Sequence, residues 1–486
     1  MAVTGLTMKT KKILCLRKLA VSGLCLPLLS SVALAQGVDF QATIKAGVSA
    51  TDNLFLVAAP NEVDETIYQI TPSLSLDYEN QRVDVVLRYR FDWYKYADLD
   101  ITNKYHRYDF VLNSELVNET LFLGVGASRS QSVVNPNDVI PPGNLPLSGN
   151  LTDRDEYFVN PRFEKTLGRS VSLEVNYRYT VIIFDDSNID NPLFVQDNTN
   201  ESATFRIDNY KRGQGLTWAA RYEWRATEYD RSLPWEYNMA VAELGFWANG
   251  STRIFATGGK ESAWDDPVDR SLQDGFWEAG FAYQNGDRLS AEFAAGERSF
   301  GSSWRGKLDF SFQRGELVFS YAETPTTAGV NRFSGGNLLN PEEPDDLLVQ
   351  PGSAERYISK RGQASLNFNF RRTNLGFVIY DEQRTGRYSA GGTLLGDQSQ
   401  RGVSASFSWQ AGARTEFTAR GSINNRETET AGETEFIKAA VAANYRIGSS
   451  VLLTLSYSYS EQDPADSANG RDYVANLVSF FVSYTF

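Results

Sequence analysis

In RVDVVLRYRFDWYKYA (82–97) apolar side chains fall on alternate positions, with Val83, Val85, Leu87, Tyr89, Phe91 and Trp93 on one face and Asp84, Arg88, Arg90 and Asp92 opposite. A period of two is that of an extended strand with one apolar and one polar face. SVSLEVNYRYTV (170–181), LTWAARYEWRATEY (216–229) and VLLTLSYSYS (451–460) repeat the pattern. Counted along the chain, the alternation predicts 22 strands between residues 40 and 486; two weakly patterned hairpins, 303–323 and 398–427, widen the range to 18–24.

The connections decide the topology. Asn80-Gln81, Asn249-Gly250, Asn285-Gly286 and Gly448-Ser449 are tight hairpin turns, whereas 132–152, 182–201, 263–273, 324–355 and 462–470 are long and polar. Short turns at one end and long loops at the other are the layout of an outer-membrane barrel, with turns in the periplasm and loops outside. A soluble β-sandwich has no use for Tyr, Trp and Val stripes on the outer face of every hairpin. The predicted fold is therefore all-β, a transmembrane antiparallel outer-membrane β-barrel of about 22 strands. Both termini fall on the periplasmic side.

The last predicted strand contains LVSFFVSYTF (477–486), with Val478, Phe480, Val482, Tyr484 and Phe486 on one face. A free apolar edge of this kind aggregates in water. In a closed barrel it pairs with the first strand and turns its apolar face to lipid. The stretch also resembles the C-terminal signal that hands bacterial outer-membrane proteins to the barrel-assembly machinery.

Composition adds the compartment. Lys9, Lys11, Lys12, Arg17 and Lys18 precede an apolar run, Leu19–Leu29, and the box Ala33-Leu34-Ala35, so residues 1–35 read as a signal peptide cleaved after Ala35, started from Met1 or Met8, and 36–486 as the barrel. A lipoprotein signal at Cys25 is disfavoured by Leu24 before it. The leader holds both cysteines, Cys15 and Cys25, so the mature chain has no thiol for a disulfide or a metal. It also takes five of the 47 basic residues and none of the 60 acids, leaving a net charge of −18. Such a chain is no partner for nucleic acid. No stretch of 18 apolar residues follows the leader, and the negative mean hydropathy is that of alternating strands, whose signal is weak per segment.

Catalysis is poorly supplied. His106 is the only histidine, no G-x-S-x-G surrounds any serine, and a zinc site lacks ligands, so no enzyme and no cofactor are expected. His106 reads as a girdle or loop residue. The acidic stretches 184–192 and 340–347 lack the ordered spacing of a calcium loop and read as solvated loops. Polar strand residues, among them Arg88, Arg90, Arg178, Arg221, Glu223, Arg225, Asn367, Asn369 and Arg446, are assigned to the lumen, because Lys or Arg facing lipid at midplane costs about 2–4 kcal/mol. Aromatic residues stack on sugars in some proteins, but Trp and Tyr are expected here at the membrane interfaces without any ligand. The first strand begins soon after the cleavage site, which leaves no room for an N-terminal plug and argues for a barrel with no plug domain, unlike the TonB-dependent receptors.

Three elements near the start resemble a known family. Gly47, Ser49, Thr51, Asp52 and Asn53 in AGVSATDNLFL, then Pro72, Leu74 and Leu76, then Tyr89, Tyr94 and Tyr96 are similar to the opening of the outer-membrane β-barrel proteins associated with the PEP-CTERM/exosortase system and its exopolysaccharide loci. The match is specific over about sixty residues and generic elsewhere. The resemblance implies a polysaccharide-export or surface-assembly context and no established activity. The expected function is thus a pore or export conduit, with membrane lipid, the assembly machinery and exopolysaccharide or its export proteins as partners. The alternative is a non-conducting docking barrel whose outer loops bind polysaccharide or partners.

Overall fold

The computed structural model describes residues 37–135, 138–168, 170–185, 195–209, 215–262, 272–327, 355–388, 394–429, 432–464 and 472–486. The expected signal peptide with Ala33 and Ala35, all of 340–347 and most of 184–192 lie outside the described residues.

The strands are β1 (Val38–Thr51), β2 (Glu65–Glu79), β3 (Val83–Tyr96), β4 (Thr102–Val117), β5 (Leu121–Val133), β6 (Leu151–Leu167), β7 (Val171–Phe184) and β8 (Asn198–Asp208). They continue with β9 (Leu216–Tyr229), β10 (Trp235–Trp247), β11 (Thr252–Ser262), β12 (Leu272–Asn285), β13 (Leu289–Arg298), β14 (Gly301–Phe312), β15 (Gly315–Thr327) and β16 (Arg356–Asn369). The last are β17 (Thr373–Tyr388), β18 (Leu394–Leu395), β19 (Gln398–Gln410), β20 (Thr415–Thr428), β21 (Gly432–Ile447), β22 (Val451–Pro464) and β23 (Tyr473–Thr485). Each pairs antiparallel with the next; β18 is a two-residue ribbon on the end of β17, and β19 pairs with β17 directly. The barrel wall therefore has 22 strands, and it closes where β23 pairs with β1 from Thr43↔Thr485 to Thr51↔Leu477.

The turns at the periplasmic end are built from side chains that bond their own backbone. Asn80 Oδ1 accepts from the N–H groups of Arg82 and Val83, and Asn249 Oδ1 from those of Ser251 and Thr252, all at 2.8 Å. Gly448 takes a φ of 66°, which a side chain would strain.

Leu244, Phe246, Ile254, Trp277 and Ile379 are among the most exposed large apolar residues, and all point outward. Towards the loop end of this face, aromatic groups donate to polar partners: Trp224 Nε1 to Glu236 at 3.1 Å, Tyr321 to Glu323 at 2.7 Å, Tyr459 to Glu461 at 2.6 Å and Tyr457 to Asn476 at 2.7 Å. An apolar belt below and hydrogen-bonding aromatics above are what a lipid–water interface selects. His106 belongs to this face, its Nδ1 2.9 Å from the Tyr89 hydroxyl and its ring 4.8 Å from that of Phe91.

Two expectations change. β8 starts at Asn198, earlier than the predicted 202, because its first inward residues are Asn198 and Asn200, buried polar groups that read as loop in the sequence. Aromatics are also not confined to lipid and interface. Tyr94, Tyr96, Tyr237, Tyr357, Phe436 and Tyr473 are buried on the inner side at the extracellular end, where the apolar clusters of the molecule sit.

Candidate functional site

Alternation along each strand places the residues opposite the lipid belt in the lumen, and several of the charged ones there stand beside partners. Arg88 lies 2.7 Å from Asp77, both about half exposed, so the pair adds little stability. Arg90 lies 2.8 Å from Asp92, which is wholly buried; Asp92 also accepts from Thr71 Oγ1 at 2.8 Å, and Arg107 approaches it at 4.0 Å. Arg178 sits 3.9 Å from Glu156 and 3.9 Å above the Phe158 ring, while Arg154 pairs with the same glutamate at 2.6 Å. Arg225 pairs with Glu223. Arg221 lies opposite Arg206 on β8, whose own partner is Asp208 at 2.8 Å.

Asn367, Asn369 and Arg446 lie at the periplasmic end, where the N–H groups of Asn369 and Arg446 donate to the carbonyls of Arg314 and Arg414 at 2.7 and 2.8 Å. The residues expected in the lumen all face inward, on different strands and at different heights. They line a wall and do not converge on one reacting centre.

Two denser groups escape sequence reasoning. On β10, β11 and β13, Glu261 is wholly buried; its Oε2 accepts from Arg298 at 2.6 Å and Tyr237 at 2.7 Å, its Oε1 from the Ser299 N–H at 2.8 Å. On β16 and β17, Glu382 accepts from Arg384 Nε and Ser359 Oγ at 3.1 Å, with Arg361 at 3.7 Å. In the sequence both glutamates stand in polar strand ends, and only knowledge of the register brings their partners together. Among the described residues no cluster of His, Cys, Asp and Glu has the arrangement of a metal site.

The connection between β5 and β6 turns into the mouth. Val139 packs with Leu56, Tyr473 and Ala475, and Ile140 with Val133 and Phe436. Polar bonds fix it there: Gln462 Oε1 accepts from the Ile140 N–H at 3.0 Å, and the Tyr473 hydroxyl donates to the Ile140 carbonyl at 2.8 Å. Further along, Leu145 and Leu147 pack against the cluster of Leu54, Ile67, Tyr94 and Tyr96, with the Tyr96 hydroxyl donating to the Leu145 carbonyl at 2.9 Å. This strap lies inside the loop end and spans from the β2–β4 wall to β21–β23.

Beneath it lies the seam. Asn476 donates to Asp52 through its N–H at 2.8 Å and its side-chain amide at 2.6 Å, and Asn53 Nδ2 donates to the Val474 carbonyl at 2.9 Å. Thr51 Oγ1 accepts from the Asn53 N–H at 3.3 Å. Thr51, Asp52 and Asn53, the residues of the family resemblance, thus cap the closing strand pair at its extracellular end. Lower down, Ser49 and Ser479 share a hydrogen bond of 2.8 Å, and a Cβ on Gly47 would sit 2.2 Å from the Phe480 carbonyl oxygen. Val478, Phe480, Val482 and Tyr484 face outward on β23, as does Phe486, whose N–H donates to the Ala42 carbonyl at 2.9 Å.

The chain matches no family model and no curated protein. Among solved structures it is similar to the FrpB iron transporter of Neisseria meningitidis (F3-3 variant), at 10% identity, over 93% of this chain and 82% of that one, with a TM-score of 0.50. The chain is an outer-membrane β-barrel. The siderophore receptor PirA of Pseudomonas aeruginosa follows at 9% identity, 92% and 80% coverage and a TM-score of 0.45. A loop-deletion form of OmpT, an outer membrane protein of Vibrio cholerae, matches at 10% identity, 92% and 99% coverage and a TM-score of 0.32. The outward belt and the closed edge place the chain in the outer membrane of a Gram-negative bacterium.

The expectation of no plug domain is corrected by this likeness. FrpB is a plugged TonB-dependent receptor, and 22-stranded outer-membrane transporters are the size class whose lumen holds a plug. The nearness of β1 to the cleavage site concerns the order of the chain. It carries no conclusion about what occupies a lumen this wide.

Proposed function

We propose that this barrel is an outer-membrane conduit for exopolysaccharide, working in the export or surface-assembly context that the resemblance over residues 46–98 implies. The observation that carries the reading is the inner wall below the apolar clusters of the mouth, polar and with acids and bases side by side, as with Arg90 and Asp92 or Arg178 and Glu156. Ions satisfied by each other leave a hydrated surface along which a polymer passes without being held. The strap narrows the extracellular mouth on the side of the seam. No catalytic step is part of this reading. Membrane lipid and the assembly machinery, acting on Val478 to Phe486, complete the set of partners.

A second reading follows from the strap itself. Seated on both sides of the seam by Ile140 and Leu145, it supports a closed barrel whose outer loops hold secreted polymer. Single-channel recording of residues 36–486 in planar bilayers separates the two. Stable open steps that the host's exopolysaccharide blocks are expected for a conduit. Silence from protein whose heat-modifiable gel mobility proves it folded overturns that function and moves it to the loops.

A further inference from the structure

Below the Glu382 cluster the inner wall has two chemically different sides. From β3 to β14 the inward positions are rich in ion pairs, such as Arg88 with Asp77, Arg225 with Glu223 and Arg305 with Glu278 at 3.2 Å. From β16 to β22 the middle of the wall is built from hydroxyls, amides and small residues. The register puts Ser365, Val378, Ser404, Ser422, Lys438 and Ser460 in one row across six strands, each the pairing partner of the next. The row below runs Asn367, Gly376, Ser406, Arg420, Ala440 and Ser458. Beyond β22 the hydroxyl surface crosses the seam through Ser479 and Ser49, bonded to each other. Lys438 and Arg420 are the charges within these two rows.

We infer that the β16–β22 wall is the track for an uncharged, hydroxyl-rich polymer, a neutral glycan; this rests on the conduit reading and names its substrate class. A serine hydroxyl both donates and accepts and rotates to suit its partner, which matches a sugar hydroxyl in either role. Neighbouring strands repeat these groups at about 4.8 Å, so a moving chain meets an equivalent partner at each step. Each such bond replaces one with water at little net gain, so many weak contacts are exchanged without a deep trap. Gly376, Ala440 and the serines are also short, which leaves a chain room to lie against this part of the wall. The paired wall opposite offers ions already engaged with each other, and a neutral chain gains less from them.

The test uses residues 36–486 in planar bilayers with two probes of equal length, linear dextran and dextran sulfate. One variant combines Ser404→Ala, Ser406→Ala, Ser422→Ala and Ser458→Ala. The control makes the same kind of change on the paired wall with Ser128→Ala, Ser130→Ala and Ser290→Ala. Dextran is expected to block the wild type with a residence time that falls about tenfold in the four-serine variant and changes less than about twofold in the control. Equal residence in both variants, stronger block by dextran sulfate, or an open channel that dextran does not enter each overturns the neutral-glycan track and leaves the conduit standing. Folded wild-type protein without open steps removes the conduit and the track together.

Discussion

Glu261 is held by two side chains and one backbone N–H, and it neutralises Arg298 where neither is fully hydrated. Glu261→Gln leaves the guanidinium without its counter-charge, a change that costs about 3–5 kcal/mol for a buried pair. Urea unfolding in lipid vesicles is expected to show the drop, and Glu261→Gln combined with Arg298→Met is expected to recover much of it. Gly47 is constrained differently, because the space for its side chain is filled by the Phe480 carbonyl of the closing strand. Gly47→Val pushes that strand away; overpacking on this scale costs about 1–3 kcal/mol, read as a lower unfolding midpoint and a loss of the compact gel band. Asp52→Ala removes the acceptor for both Asn476 groups, which are exposed, so a smaller loss of about 1 kcal/mol is expected by the same measurement.

At the scale of elements the strap is separable from the wall, because the wall's ladder bonds run between strands and the strap's contacts are added on its inner side. Replacing residues 139–147 by a short Gly-Ser linker is expected to leave the compact gel band intact and to enlarge the conductance step. An unchanged step would mean that the strap lies clear of the current path. The strands themselves were legible, since each lipid-facing stripe, as in Val83 to Trp93, repeats with period two and needs no partner to be seen. The strap was not. Val139, Ile140, Leu145 and Leu147 sit in a Pro- and Asn-rich stretch without periodicity, and what makes them inner residues is Phe436, Tyr473 and Tyr96, far away in sequence. The lumen residues were legible as a face but not as partners. Arg90 and Asp92 are two apart and share a strand, whereas Glu261 and Arg298 meet only when β11 to β13 fold. The plug expectation failed for a related reason, since it took the order of the chain as a statement about the contents of the lumen.

For the whole molecule, closure joins the two ends of the described chain, and Phe486 adds its N–H to the Ala42 carbonyl at the periplasmic rim. Removing Phe486 is expected to lower the amount of protein assembled in the outer membrane of cells several-fold. Refolding of the same variant from urea into detergent is expected to proceed as for the wild type, since one bond at the rim is lost while the β1–β23 register remains. A matching loss in both assays would make the residue a structural closure element and not a recognition signal. The strap adds a rule of timing. Ile140 is anchored by Tyr473, 333 residues later in the chain, and by Gln462, 322 residues later. Its docking surface therefore does not exist until the final strands have been delivered. The mouth is finished last, and the slow exchange of the Ile140 amide proton would be the clock by which completion of a single barrel is read.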